Sequence, residues 1–212
     1  MNDTPETKLI SLNHRTTFLQ LRSPDGLDNS IAGIGGRIAK LINNPEIIKD
    51  ANAVGVLDCL LGAVYCLIHA KHHDFEDRTN KPIETDVIQK RASEIKNGEV
   101  RIDGKWIAGW HFNGALFRIA AVFHRLLKLA EGDPESREYV PALLPRVNAR
   151  YKVLTGNDWS SNRTNAIHDE VNTLKHSPQA LYSARKATFD DALNGINELL
   201  DLFETCIITP DP

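Results

Sequence analysis

The chain has 212 residues, of which 42% are hydrophobic and 25% are charged, a composition that is ordinary for a soluble globular protein. Its formal net charge of −3 at pH 7 argues against general electrostatic binding to nucleic acid, which needs a broadly basic surface. The length suits one domain, residues 1–212, with room for an inserted segment.

Residues 1–44 form an N-terminal extension and the first predicted helix. Asp28 or Ser30 can begin this helix by accepting a backbone N–H, and Pro45 cannot continue it. The Gly-rich sequence at 33–36 lacks both a preceding strand and the spacing of a phosphate-binding loop. It therefore indicates close helix packing or a broken helix.

A long helix is predicted from Pro45 to about His72, because its broad apolar stripe is typical of a helix that is contacted on several sides. The stripe consists of Val54, Leu57, Leu60, Leu61, Val64, Leu67 and Ile68. His69 and His73, four residues apart near the end of this helix, could chelate a metal together with an acidic residue. The alternative is that the helix dipole favours histidines at a helix C-terminus, without any metal.

Residues 74–108 are predicted to be an insertion made of a loop, a short helix and a β-hairpin. The short, largely polar helix spans 85–97. The hairpin, near residues 99–108, rests on Asp103-Gly104, which suits a type I′ turn between Val-Arg-Ile and Lys-Trp-Ile. Because a lone hairpin is only marginally stable, we expect this one to pack on the helices.

Three further long helices are predicted at 111–131, 135–154 and 184–206, and the second of them has Pro141 and Pro145 as kinks. The predicted core stripes are Phe112, Leu116, Ile119, Phe123, Leu126, Leu127 and Ala130 in the first helix, and Phe189, Leu193, Ile196, Leu200 and Phe203 in the last. The last helix has an opposite polar face made of Asp190, Asp191, Glu198 and Asp201. The chain is therefore expected to be an all-α protein, a helical bundle of four to five main helices.

One more helix, between residues 157 and 178, has more polar side chains than a core helix needs. Ser160 or Ser161 can cap its first turn, and Pro178 ends it. Its apolar stripe, spaced i, i+4 and i+7, consists of Ile167, Val171 and Leu174.

A polar stripe of His168, Asn172 and Lys175 lies one residue further along the same helix. Arg163 stands in the first turn, where free N–H groups and the helix dipole favour an anion. Residues 142–187 contain seven basic residues against three acidic ones, which supports an anionic ligand nearby. This helix therefore predicts a phosphate-binding site.

The sequence Arg163-Thr-Asn-Ala-Ile-His168 resembles the Arg-x4–6-His motif of the HEPN superfamily, small all-helical domains found in RNases, toxins and defence proteins. The Asp-Glu-Val-Asn-Thr-Leu-Lys-His sequence that follows, and the amphipathic helix after it, are also similar to HEPN proteins. A second match, Arg118 to His124, lies inside an apolar helix, whereas Arg163 opens a helix and precedes a polar residue. The resemblance implies metal-independent cleavage of an RNA phosphodiester, without a cofactor and usually at a dimer interface.

These residues suit that chemistry. His168 can transfer protons near neutral pH, and the guanidinium of Arg163 can donate two hydrogen bonds to a phosphate. Thr164, Asn172 and Lys175 are expected to bind substrate. Five helical residues turn through about 140°, so Arg163 and His168 converge with difficulty on one straight helix. A homodimer that pairs two copies of this helix would give a composite site.

Two alternatives remain open at this stage. The first is a non-catalytic HEPN-like module that binds RNA, a nucleotide or a protein through the same surface. The second is a helical bundle that binds a metal through His69 and His73, with His111 or His124 as a further ligand. If the protein is a toxin or a defence effector, an antitoxin or another protein partner is also expected.

The cysteines and the N-terminus indicate a cytoplasmic protein. Cys59, Cys66 and Cys206 lie in apolar helical contexts without CxxC spacing, which predicts buried, reduced thiols. The N-terminal sequence lacks the basic and apolar regions of a secretion signal. No uninterrupted apolar run is expected to be long enough to span a membrane.

Overall fold

The computed structural model describes residues 28–72, 89–90, 93, 96–97, 104–176 and 186–208, and every secondary-structure element in these residues is helical. The predicted all-α bundle is thereby confirmed at the level of fold class. The helices are α1 (Asp28–Ile42), α2 (Pro45–Lys49), α3 (Ala51–His72), α4 (Gly104–Glu131), α5 (Val140–Thr155), α6 (Asn162–His176) and α7 (Phe189–Phe203), and a π-helical turn (Glu204–Ile208) follows.

Helix α4 is the centre of the bundle. It packs along the whole of α3 and also contacts α5, α6 and α7. All seven positions of its predicted core stripe are buried, as are the five of α7, because a 3.6-residue apolar period places these side chains on one face. The core stripes predicted for α4 and α7 are therefore confirmed.

The predicted β-hairpin near residues 99–108 is wrong in its second half, because residues 104–108 are the first residues of α4. Ala108 is buried four residues before Phe112, so the helical burial pattern of α4 extends back toward the Asp-Gly pair. A local turn preference is weak compared with burial along a helix. The described residues do not include 1–27 or 99–103. Between residues 74 and 98 they include only positions 89, 90, 93, 96 and 97.

Two predicted helices begin or continue differently in the structure. The predicted helix from Pro45 to His72 is interrupted at Asp50, which has an extended backbone and separates α2 from α3. The Asp50 side chain then accepts a hydrogen bond from the backbone N–H of Asn52, at 2.8 Å, in the first turn of α3. Helix α5 begins at Val140 instead of residue 135, so that Pro141 falls in its first turn, where no N–H is needed.

Helix α7 begins at Phe189, not at residue 184, because a capping box defines its start. The Thr188 hydroxyl accepts from the backbone N–H of Asp191, and the Asp191 carboxylate accepts from the backbone N–H of Thr188, both at 3.0 Å. This reciprocal pair satisfies donors that the first turn of a helix would otherwise leave free.

The expectation that no uninterrupted apolar run is long enough to span a membrane concerns helix α3 most, in which Asp58 interrupts the apolar sequence. Its 22 residues are long and apolar enough to cross a membrane, judged by length and composition alone. Nine of its residues are buried, however, and it packs against α4, which is the arrangement of a core helix in a globular bundle.

Helix α6, the predicted site helix, is held between α4 and α7. Ile167 and Val171 of its predicted apolar stripe are buried, and Leu174 is half-buried. The two helices approach closely at Gly195, where an added Cβ atom would lie 3.0 Å from Cδ1 of Ile167 and would displace that side chain slightly. The polar stripe of α6 consequently lies toward the side where α4 and the start of α5 meet.

Candidate functional site

A basic groove of about 1000 Å³ lies between α4, the start of α5 and α6. Its α6 wall carries Asn165, His168, Asp169, Asn172 and Lys175. Its α4 wall carries Ala120, Ala121, His124, Arg125 and Lys128, and its α5 edge carries Tyr139, Val140, Pro141 and Leu144. The structure thus brings three of the five predicted site residues, His168, Asn172 and Lys175, into one groove.

His168 is a half-buried titratable group in the wall of this groove. Its side chain is 18% exposed, and its ring meets the edge of Phe123 with 5.6 Å between the ring centroids. The amide nitrogen of Asn172 lies 3.4 Å from both ring nitrogens, so it faces the ring as a whole. These contacts fix the imidazole at the wall of the groove.

The pKa of His168 is lowered from its ordinary value, chiefly because burial penalises the charged ring. The Asp169 carboxylate, 3.6 Å from Nδ1, opposes this shift, and the positive charges of His124 and Lys175 add to it. Burial prevails because the Asp169 side chain is largely exposed and its charge is screened by water. His168 is therefore a neutral imidazole at pH 7, the form that can accept a proton.

His124 is a second imidazole in the groove. Its Nε2 lies 2.9 Å from the backbone carbonyl of Glu138 and donates to it, since a carbonyl oxygen can only accept. The same bond ties the middle of α4 to the segment before α5. Because the Nε2 position is committed in this way, Nδ1 is the ring nitrogen of His124 that remains for other partners.

Two lysines give the groove its positive charge. Lys128 and Lys175 have no hydrogen bond or ion pair to any part of the chain that the structure describes. Arg125 adds a third cation, whose guanidinium donates to Asn52 and, at 2.8 Å, to the carbonyl of Pro134. Asp169 is the one carboxylate that lines the groove among the described residues, so the groove has an excess of positive charge.

Arg163 lies elsewhere, on a side of α6 that does not line this groove. Its guanidinium forms an ion pair of 2.8 Å with Asp191 of α7. Both residues line a smaller cleft of about 440 Å³, together with Glu170 and Lys186. Within one chain, therefore, Arg163 and His168 do not share a cleft, in line with their angular separation on the helix.

The N-terminus of α6 already holds an anion that belongs to the protein. The Glu198 carboxylate, buried and contributed by α7, accepts hydrogen bonds from the backbone N–H groups of Arg163 at 3.2 Å and Thr164 at 2.9 Å. Ser160 donates its hydroxyl to the same carboxylate at 3.4 Å. Glu198 therefore occupies the backbone N–H groups that were expected to bind a Ser160 or Ser161 cap or a phosphate.

Thr164 is buried beneath this carboxylate. Its hydroxyl donates to Glu198 at 2.6 Å and lies 3.3 Å from the carbonyl oxygen of Gly195. The Trp159 indole N–H donates to the backbone carbonyl of Glu198, at 2.9 Å, from the other side. Thr164 consequently holds α6 against α7, and its hydroxyl is not accessible to a substrate.

The second Arg-x-His match is also divided between two surfaces. Arg118 lies over Gly62 of α3, where an added Cβ would be 2.9 Å from Nε of the arginine. His124 lines the groove on the opposite side of α4. Neither match therefore places its arginine next to its histidine within one chain.

The metal alternative finds no support in the described part of the chain. The His69 ring stacks on His111, with 5.1 Å between centroids, and His124 lies in the groove away from that pair. Among residues 28–72, 104–176 and 186–208, no three His, Cys, Asp or Glu side chains are grouped as metal ligands. His73 lies outside the described residues. The three cysteines are free thiols; Cys206 is buried, and Cys59 and Cys66 are partly so.

The sequence alone did not assign Lys128, Tyr139 and Asn165 to the site, and it offered His124 only in the second, less favoured Arg-x-His match and as a metal ligand. The available signal was the position of His124 and Arg125 off the core stripe of α4. The assignment required the packing of α4 against α6.

Comparisons of this chain with protein-family models, with curated proteins and with solved structures found no match.

Proposed function

We propose that the groove binds the phosphate backbone of RNA, and that the protein is a metal-independent endoribonuclease of HEPN type. The observation that supports this best is a neutral, fixed imidazole, His168, in a groove with two lysines that have no partner among the described residues. Metal-free cleavage of RNA needs a base for the 2′-hydroxyl proton and cations for the charge that develops on phosphorus. The groove holds both kinds of group.

In the proposed reaction His168 accepts the proton of the 2′-hydroxyl while the 2′-oxygen attacks phosphorus. The bond from phosphorus to the 5′-oxygen breaks, which leaves a 2′,3′-cyclic phosphate on one product and a 5′-hydroxyl on the other. With both ring nitrogens protonated, His124 gives the Nδ1 proton to the leaving 5′-oxygen, while its Nε2–H stays on the carbonyl of Glu138. Lys128 and Lys175 stabilise the negative charge of the transition state.

The direct test is to incubate the purified protein with single-stranded RNA in EDTA. We expect cleavage with cyclic phosphate ends, and we expect His168→Gln to slow it by at least roughly 100-fold, the usual contribution of a general base. His176→Gln, an exposed change at the end of the same helix, is the matched control and should cleave normally. Products that form only after a divalent metal is added would overturn the proposal.

A homodimer remains part of this proposal, because Arg163 is absent from the groove of its own chain. A second copy of the chain could bring its Arg163 to the lysines and His168. Sedimentation at tens of micromolar should then show a dimer, and Arg163→Ala should abolish cleavage without unfolding the protein. A monomer that cleaves RNA normally after Arg163→Ala would leave a one-chain site and refute the composite one.

The second candidate is a module that binds RNA without cleaving it. It is favoured by the pairing of Arg163 with Asp191 and by the burial of Thr164, which remove two of the five predicted site residues from the groove. The two candidates differ in one result. If the wild-type protein binds RNA and leaves it intact over hours in EDTA, the binding module is the function.

A further inference from the structure

An aromatic side chain stands exposed at the edge of the groove. Tyr139 is 78% exposed and lines the groove where α5 begins. No other ring stacks on it within the described residues. A single exposed ring is ordinary on a protein surface, but this one borders a charged groove, where its flat apolar face is open to a ligand.

The segment that carries this ring is braced at several points. His124 donates to the backbone carbonyl of Glu138, and Arg146 donates to the Glu138 carboxylate. Arg125 donates to a backbone carbonyl in the same segment, residues 132–139, at 2.8 Å. The backbone beneath the ring is therefore fixed before any ligand arrives, so that binding need not bear the cost of ordering it.

The surroundings of the ring indicate what it would contact. Lys128 and Lys175 offer positive charge to a phosphate chain in the same groove, and the ring offers a flat apolar face next to them. This combination is the one that binds single-stranded nucleic acid, in which cations hold the backbone and aromatic rings stack on bases. A base within a duplex has both of its faces covered by neighbouring pairs and cannot stack in this way.

We propose that Tyr139 is the stacking residue for an unpaired base of the strand whose phosphates are bound by Lys128 and Lys175. This inference rests on the proposed binding of RNA and adds the part of the ligand that is recognised. Stacking needs the aromatic ring and does not need the phenol hydroxyl.

The test measures fluorescence anisotropy with a labelled 2′-O-methyl oligoadenylate, which has no 2′-hydroxyl and cannot be cleaved by the proposed route. An abasic strand of the same length and charge is the second probe. We expect Tyr139→Ala to weaken binding of the oligoadenylate by about 5- to 150-fold, the effect of losing one stacked base. Tyr139→Phe should retain the wild-type affinity. Val153→Ala, which changes a side chain of α5 that is 77% exposed, is the matched control.

The two probes separate the possible failures. On the abasic strand, Tyr139→Ala should equal the wild type, whereas Lys175→Ala should weaken the binding of both strands. If the wild type binds both strands and Tyr139→Ala changes neither affinity, the stacking role is overturned and binding of the RNA backbone stands. If the wild type binds neither strand, both this inference and the proposed function are overturned.

Discussion

The first turn of α6 and the side of α6 that faces α4 have similar polar side chains but opposite surroundings. In the first turn, Glu198 satisfies two backbone N–H groups, and the Thr164 hydroxyl is buried against it. Two turns further on, Asn172 and Lys175 line an open groove. An anion-friendly helix end is thus not a ligand site when the protein supplies its own carboxylate, and the polar residues that remain open are the better candidates.

Of the substitutions that test this comparison, the removal of Glu198 should have the largest effect, a loss of stability. We expect Glu198→Ala to lower the free energy of unfolding by about 2–4 kcal/mol, because buried N–H and hydroxyl donors at the start of α6 lose their acceptor. Urea denaturation measures this loss. Asp201→Asn, one turn along α7, breaks only a half-exposed ion pair with Arg37 and should cost less than about 1 kcal/mol. Equal costs for the two changes would contradict the structural role of Glu198.

Changing the two groove lysines should have the opposite outcome, a loss of binding without a loss of stability. Lys128→Ala combined with Lys175→Ala should reduce the slope of log affinity against log salt by about 1.4, or 0.7 for each phosphate contact with single-stranded RNA. Lys40→Ala, which changes an exposed side chain of α1 that does not line the groove, is the control. An unchanged salt slope in the double variant would show that the strand runs elsewhere.

Low pH should destabilise the folded protein through His168, which lies on the groove side of α6. Its pKa is lower in the folded protein than in the unfolded chain, so the unfolded chain binds more protons as pH falls below about 6.5, the ordinary histidine value. The contribution of His168 to the free energy of unfolding should be constant above pH 6.5. It should decrease as the pH falls from 6.5 to the pKa of the folded state, and it should change no further below that pKa. His168→Gln should remove this component from urea denaturation measured at several pH values. A histidine NMR titration that placed the pKa of His168 at or above the ordinary value would contradict the shift.

Arg163 should have the smallest effect on stability. Its side chain is 57% exposed, so the ion pair with Asp191 contributes at most about 1 kcal/mol, and Arg163→Ala should change thermal unfolding only slightly. A large loss of cleavage together with this small change in stability would favour a site shared between two chains. A large loss of stability would instead show that the arginine is mainly structural.

Sequence patterns predicted the helices of the core and part of the groove. The stripes of α4 and α7 were predictable because periodicity reports burial, and the groove-lining stripe of α6 follows from the same spacing. Glu198 could not be assigned in this way, since it appears on the polar face of its own helix and its partners lie more than thirty residues earlier. Its role depends on how α6 packs against α7, and so does the burial of Thr164.

The hairpin prediction failed for a related reason. Asp103-Gly104 is a strong local signal, but Gly104 begins a helix whose burial depends on contacts distant in sequence. Tyr139 was likewise assigned to the interior of a helix that in fact begins after it. In both places the error lay at the start of a helix, and helix boundaries are less reliably predicted than helix centres.

The apolar length of α3 also affects how the chain is made. During synthesis α3 leaves the ribosome before α4, the helix that covers most of its buried face, and residues 73–103 separate the two. At about 5–20 residues per second, α4 is complete only several seconds after α3. For that interval the nascent chain displays a 22-residue apolar helix without its partner. Chaperones that hold hydrophobic segments, and the lipid surfaces that attract them, would therefore compete with α4 for α3 at this stage more than at any later one.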